Sequence, residues 1–295
     1  MKAGQVGWIG LGVMGSALAK RLIDAHYDLV VYNRTREKAL KLIPEEKILS
    51  SPCAVAQVCD VVFLSLTGLN AAEEILFSEK TGIVFSGNRR LTLIDTSTIG
   101  PEKAISLHQR LQTFGIEYVE CPISGGPEGA RAGKLTAVLS GSDEERVTKY
   151  KGIVENFAAK IHFVGGPGKA QMMKVLNNQA ESINMLAAAE VISIGLKAGI
   201  DLAVMREVLS DLRGYSQYMD VLFDRLIHPK EETSVSLEVR VKDIGLANVI
   251  AGQHGVPAPV TALTEKLYTL AMERYGAKAD QTRCIELMKE KLGFC

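Results

Sequence analysis

In the first half of the chain, short runs of β-branched and other apolar residues alternate with stretches whose apolar positions recur at helical spacing. The runs predict strands at residues 6–10, 29–33, 61–66, 91–96, 118–121, 136–140 and 160–164. Several are apolar at every position, as in Val61-Val62-Phe63-Leu64, the pattern of strands covered on both faces. Between them lie helical segments, for example 14–25, 35–43 and 101–114. The last opens on Pro101 and closes at Gly115, the usual asymmetry of helix ends. Strand and helix in alternation predict a parallel sheet with helices on both faces.

The pattern changes near Gly165-Gly166-Pro167-Gly168, after which glycines thin out and helical periodicity runs almost unbroken. One long helix is expected over 169–197, closed by Gly199, then shorter ones over 201–213, 217–226, 237–254, 259–275 and 280–291. Asp201 and Asp280 stand where N-caps belong, and Gly255 and Gly276 where C-caps belong. The expected organisation is an α/β domain over residues 1–165 and an all-α domain over 166–295, joined through the long helix.

Hydrophobic residues make up 47% and charged residues 23%, which excludes disordered and fibrous classes. Thirty-four basic residues balance thirty-four acidic ones, so no basic excess points to nucleic acid or an anionic membrane. The best candidate span, 183–196, is short and carries Asn184 and Glu190, so no membrane segment is expected. Lys2 followed by the apolar stretch 6–19, with Ala17-Leu18-Ala19, could imitate a secretory signal. The glycine spacing within it favours strand, tight turn and helix. Five cysteines at no metal-ligand spacing read as reduced, mostly buried thiols of a cytoplasmic protein.

Gly10-Leu11-Gly12-Val13-Met14-Gly15 has the form G-x-G-x-x-G, placed after a strand and before a helix. The first glycine permits a tight turn, the second lets backbone approach a pyrophosphate, and the third lets helix and strand pack closely. Phosphates then sit on the helix N-terminus. The motif makes the first domain a Rossmann-type dinucleotide-binding domain. At the end of the next strand, where a carboxylate usually meets the ribose 2′-hydroxyl, stand Asn33, Arg34 and Thr35. A guanidinium pairs with a 2′-phosphate that a carboxylate would repel, so NADP is expected in preference to NAD. The bland alternative for Thr35 is to cap the following helix.

Further motifs follow. Pro122-Ile123-Ser124-Gly125-Gly126, with Gly129 and Gly133, forms a glycine-rich loop after a strand. Gly166-Pro167-Gly168 leads into Lys174, Asn177 and Asn178, and Lys242-Asp243-Ile244-Gly245 comes later. This ordered set, spread over essentially the whole chain, resembles the β-hydroxyacid dehydrogenase family. The family includes 3-hydroxyisobutyrate dehydrogenase, tartronate semialdehyde reductase and the glyoxylate/succinic semialdehyde reductases. The resemblance implies interconversion of a small 3-hydroxy acid and its semialdehyde by hydride transfer with NADP(H).

The residues themselves suit that chemistry. A lysine can pass a proton to or from a substrate oxygen while hydride moves. Lys174 and Asn178 are four apart on an expected helix and so share a face, with Asn178 able to orient the oxygen. Asn177 points away and is expected to hold backbone or cofactor. Ser124, Gly125 and Gly126 offer a hydroxyl and successive N–H groups to a carboxylate, where the family also places it. Thr98, at a strand end, matches a family threonine near nicotinamide and substrate, and Leu66 is expected at the cofactor. Lys242 and Asp243 match a family pair approaching the site, although an unaided reading makes them a surface ion pair. Of the two, Lys242 is taken as a cofactor residue.

Three departures bear on substrate choice. Glu120-Cys121-Pro122 replaces a frequent Asp-Ala-Pro, which makes Cys121 a packing residue rather than a nucleophile. Ser65-Leu66-Thr67 replaces Met-Leu-Pro beside the nicotinamide, and Val235 stands where some reductases carry an aromatic. The rival readings are an imine reductase, which usually lacks this lysine, and a non-enzymatic nucleotide-binding protein. A homodimer or homotetramer is expected by analogy, because apolar helices such as 183–196 exceed what a small helical domain covers.

Overall fold

The computed structural model describes residues 4–66, 69–229 and 233–288. Lys2, Thr67, Cys295 and the far end of the helix expected over 280–291 lie outside the described residues. The chain divides into two units, Met1–Lys174 and Val175–Cys295.

Among the described residues the first unit has the strands β1 (Val6–Ile9), β2 (Leu29–Tyr32), β3 (Val61–Leu64), β4 (Thr92–Asp95), β5 (Glu117–Glu120), β6 (Ile123–Ser124), β7 (Leu135–Leu139) and β8 (Ala158–Phe163). Its helices are α1 (Val13–Asp24), α2 (Arg36–Leu40), α3 (Pro52–Val58), α4 (Leu69–Phe77), α5 (Pro101–Gln112), α6 (Gly126–Ala132), α7 (Glu144–Thr148) and α8 (Lys151–Val154). Five strands form an all-parallel sheet in the order β2-β1-β3-β4-β5. The order reverses beside β1, so ligands are favoured at the carboxyl ends of β1 and β3.

The parallel sheet expected from the alternation is this five-stranded one, and the later strands do not extend it. β6, β7 and β8 make a separate sheet in which β6 runs antiparallel to β7. Only Cys121 and Pro122 separate β5 from β6, too few residues for the crossover that a parallel neighbour requires. The helix expected over 35–43 is also shorter. Pro44 disfavours helical backbone at Ile43, and α2 stops at Leu40.

Under the main sheet, Trp8 stacks on Phe63 with ring centroids 5.1 Å apart, and Phe157 meets both rings edge-on. Burying each such ring contributes about 1.5–3 kcal/mol.

The helix α9 (Lys169–Lys197) carries the chain from the first unit into the second, over the span its periodicity predicts. There follow α10 (Leu202–Ser210), α11 (Gln217–Ile227), α12 (Leu237–Gln253), α13 (Pro259–Tyr275) and α14 (Cys284–Leu287). Asp201 caps α10 by accepting from Ala203 and Val204 N–H groups. Asp280 caps a short 3-10 turn ahead of α14 by accepting from Thr282 N–H at 3.0 Å. Met185, Ile192, Phe223, Leu237 and Tyr268 lie in the core of this unit.

Arg240 is buried in the same unit, and each of its three guanidinium nitrogens has a partner. Its guanidinium donates to Gln281 Oε1 and Tyr218 Oη, both at 2.6 Å, and stands 2.9 Å from Glu181 Oε2. Burial opposes its charge, and the facing Tyr218 and Glu181 more than offset that, so its pKa lies above the ordinary arginine value.

Cys53, Cys59, Cys121 and Cys284 are free and buried. Burial pushes the Cys59 and Cys284 thiols up to about 12 and raises Cys121 as well, which places Cys121 in the core as a packing residue. Among the described residues no helix is long and apolar enough to cross a membrane.

Candidate active site

β1 ends one residue before Gly10, whose φ of +97° is left-handed. A Cβ at Gly10 would lie 2.3 Å from the Ser65 carbonyl oxygen, and one at Gly15 would lie 2.1 Å from that of Gly10. The first glycine therefore makes the turn, and the third lets α1 press against it. Gly12 differs, because a Cβ there would meet nothing within 4 Å. Its bare backbone faces open space at the start of α1, and no side chain caps that helix. Such a cradle fits a pyrophosphate. From the interior, Trp8 Nε1 donates to the Gly10 carbonyl at 3.0 Å and steadies the turn.

Asn33 fastens the neighbouring strand end to this loop. Its Oδ1 accepts from Leu11 N–H at 2.8 Å, and its Nδ2 donates to the Thr35 carbonyl at 2.7 Å. With that amide committed to backbone, the exposed Arg34 and Thr35 side chains extend beyond it. Thr35 occupies the N-cap position of α2, but its hydroxyl makes no capping bond. Val13 is exposed and Met14 partly buried, and both follow Gly12 in the first turn of α1.

The ends of β3 and β4 are tied together. Leu66 N–H donates to Ser97 Oγ at 2.8 Å, and Thr96 Oγ1 donates to the Leu64 carbonyl at 2.8 Å. Asp95 accepts from Ser97 N–H and from Tyr118 Oη, and burial raises its carboxyl pKa. Thr98 follows, half-buried. Ser124 ends β6 opposite Thr136, and Gly125 (φ +126°) and Gly126 (φ +64°) turn away from it. A side chain at Gly125 would strike Leu135, whereas Gly126 faces open space.

Lys174 is half-buried on α9, whose start is anchored from β5 and from the residue that follows β7. Glu120, fully buried, accepts from the N–H groups of Gly168 at 2.6 Å and Gln171 at 3.1 Å. His108 Nε2 lies 3.3 Å from the same carboxylate, and Ser140 Oγ accepts from Ala170 N–H at 3.1 Å. The first turn of the lysine-bearing helix thus has its otherwise orphaned donors met.

In the second unit, Asn178 is buried and its Nδ2 donates to Asp243 Oδ2 at 2.7 Å. Lys242 Nζ stands 3.1 Å from Asp243 Oδ1, with its side chain half exposed and that of Asp243 almost buried. Asp243 is therefore no solvated surface partner but the group that holds Asn178. Asn177, expected to hold backbone or cofactor, instead donates to Glu181 Oε1 at 2.7 Å and Asn178 Oδ1 at 3.2 Å. Glu181 lies one turn further along α9, within reach of Asn177 and on the far side paired with Arg240. Glu120, Gln171, Glu181 and Arg240 escape sequence reasoning, and Asp243 is undervalued by it. Only the four-residue spacing of Asn177 and Glu181 gave a local signal.

Comparison with known proteins identifies the family. Residues 5–166 match the model for the NAD binding domain of 6-phosphogluconate dehydrogenase. Residues 168–288 match the model described as NAD-binding of NADP-dependent 3-hydroxyisobutyrate dehydrogenase. The Arabidopsis thaliana protein described as probable 3-hydroxyisobutyrate dehydrogenase-like 1, mitochondrial, is 30% identical over 98% of this chain and 86% of its own. The 2-hydroxy-3-oxopropionate reductase of Escherichia coli K12 is 27% identical, over 97% of each chain. A solved structure, Psf3 in complex with NADP+ and 2-OPP, superposes with a TM-score of 0.86 and 36% identity, covering 96% of this chain and 99% of that one. The chain belongs to the β-hydroxyacid dehydrogenase family and is an oxidoreductase built on a NAD(P)-binding fold.

Proposed function

We propose that the chain interconverts a small 3-hydroxy acid and its semialdehyde with NADP(H), NAD being the alternative cofactor. The observation that carries the reading is Lys174, half-buried on a helix anchored in the same unit as the dinucleotide cradle. When bound, the nicotinamide supplies the hydride in reduction and accepts it in oxidation. Gly10 to Gly15 hold the pyrophosphate, and Leu66, Thr98 and Lys242 serve the cofactor further along. Arg34, with Asn33 and Thr35, receives the 2′-phosphate. Ser124 Oγ and the N–H groups of Gly125 and Gly126 grip the substrate carboxylate. Lys174 Nζ gives a proton to the carbonyl oxygen as it becomes a hydroxyl, and removes it in the reverse direction. Asn178, held by Asp243, orients that oxygen.

Lys174→Ala should lower kcat by about 10³-fold or more while NADPH binding, followed by Trp8 fluorescence, persists. Substantial turnover in that variant would end the reading. Arg34→Ala should weaken NADPH and leave NADH kinetics unchanged. The opposite pattern, with NAD giving the higher kcat/KM in the unaltered chain, would reverse the cofactor assignment. A panel of semialdehydes and glyoxylate, with the corresponding hydroxy acids and 2-OPP, identifies the substrate.

Ile194, Val204, Val208 and Leu212 are exposed on or just after α9 and α10, which supports a homodimer or homotetramer. Light scattering at micromolar concentration tests that assembly. Balanced charge and buried thiols support a cytoplasmic location.

A further inference from the structure

Gln171 lies in the first turn of α9, three residues before Lys174, and is wholly buried. Burying an amide is unfavourable unless its polar atoms are met, and here they meet one loop. Oε1 accepts from the N–H groups of Ile99 at 3.0 Å and Gly100 at 3.2 Å. Nε2 donates to the Ser97 carbonyl at 2.8 Å. These three contacts bracket Thr98. The Gln171 main-chain N–H is itself held by Glu120, and Ser97 receives the Leu66 N–H.

The Gln171 side chain therefore joins the loop after β4 to the helix face that presents Lys174, while its main-chain N–H ties the same turn to β5 and Ser97 ties the loop to the end of β3. Residues three apart share that face, so a shift of the amide moves the lysine with it. An apolar residue of similar volume could fill the space. Only the amide fixes the loop around Thr98 at a set distance from the helix.

We infer that Gln171 is a positioning residue for the reaction: it sets Lys174 against the loop that carries Thr98, an inference resting on the proton-transfer role proposed for Lys174. Glu120 supports it by fixing the turn of α9 on which Gln171 stands. The three loop groups left unpaired by an apolar replacement would rearrange. Displacement of about 1 Å at a reacting group is enough to slow chemistry by about 100-fold.

The test compares Gln171→Met with Gln171→Glu, which keeps both Oε1 contacts, using NADPH deuterated at the transferred position. Gln171→Met should lower kcat by about 10- to 100-fold and raise the isotope effect on kcat, with the NADPH dissociation constant within about 3-fold of wild type. Gln171→Glu, which keeps the acceptor for Ile99 and Gly100 but loses the donor to Ser97, should recover part of the lost kcat. A purely structural role would lower the melting temperature but leave kcat per folded molecule and the isotope effect unchanged, and that result overturns the inference. Should Gln171→Met not fold, Gln171→Asn replaces it as the variant too short to reach the loop. Equal kcat and isotope effects in Gln171→Asn and Gln171→Glu would then overturn it. Lys174→Ala separates the two levels. If it keeps turnover, the underlying reading fails whatever Gln171 does; if it is inactive while Gln171→Met is normal, only the positioning role fails.

Discussion

In the dinucleotide-binding unit the polar side chains that shape the candidate site lean mainly on main chain, as Asn33 does on Leu11 and Thr35, Gln171 on Ser97, Ile99 and Gly100, and Glu120 on Gly168 and Gln171, with Asp95–Tyr118 and Glu120–His108 as side-chain contacts beside them. In the helical unit they bond to one another, through Asn178 and Asp243, Asn177 and Glu181, and Arg240 with Tyr218, Gln281 and Glu181. Main-chain partners are present whatever residue occupies the position. Side-chain partners vanish when either is replaced, and charged ones leave a buried ion behind. The helical unit should accordingly be the more sensitive to a single truncation, and the first unit the more sensitive to added atoms in its glycine loop.

The largest effect is expected at Arg240. Arg240→Leu leaves Glu181, Tyr218 and Gln281 without their shared donor and should cost about 3–5 kcal/mol in urea unfolding. A loss below about 1 kcal/mol would erase the contrast between the units. Next comes Gly10→Ala, which places a methyl group against the Ser65 carbonyl at a left-handed φ. It should cost about 1–3 kcal/mol and weaken NADPH binding. Unchanged affinity would show that the turn adapts.

Asp243→Ala should follow, lowering kcat/KM for the substrate by about 10-fold while NADPH affinity holds, because Asn178 loses its anchor. Equal losses for substrate and cofactor would assign Asp243 a different part.

The smallest effect concerns acid. Burial alone would raise the Asp280 pKa, but bonds from Thr282 and Ser234 outweigh it and hold the carboxyl below its ordinary 3.8. A carboxyl lowered on folding contributes stability that is fully present above the unfolded value and is lost as pH falls through the folded one. The gap in urea midpoint between wild type and Asp280→Asn should therefore be steady from about pH 5 to about pH 7 and shrink below about pH 4. A gap that widens in acid would contradict the assignment.

The same contrast explains what could be read in the sequence. The glycine loop, the starts of β1, β2 and β3, and helices such as α9 and α13 follow from local pattern, and their spans fall where periodicity places them, while the other expected strands start one or two residues away. The split of the sheet was hidden in a two-residue connection at Cys121-Pro122 whose consequence is topological. Glu120 looked like a modest departure from an aspartate, and its bonds to a helix 48 and 51 positions away have no local trace. Gln171 reads as an ordinary polar residue in a helix until the loop 71 to 74 positions earlier closes on it. Arg240 offers no sign of burial because its partners come from three other helices or turns. Residues whose role is to be bonded from afar are the ones local pattern cannot assign.

The buried thiols carry a practical consequence. Cys53, Cys59 and Cys121 belong to one unit and Cys284 to the other, and in the folded chain an alkylating reagent has no thiolate to attack among these four. Brief pulses of iodoacetamide at rising denaturant, read by mass spectrometry, would stamp each unit at the moment it opens, giving the molecule an internal clock that needs no introduced label.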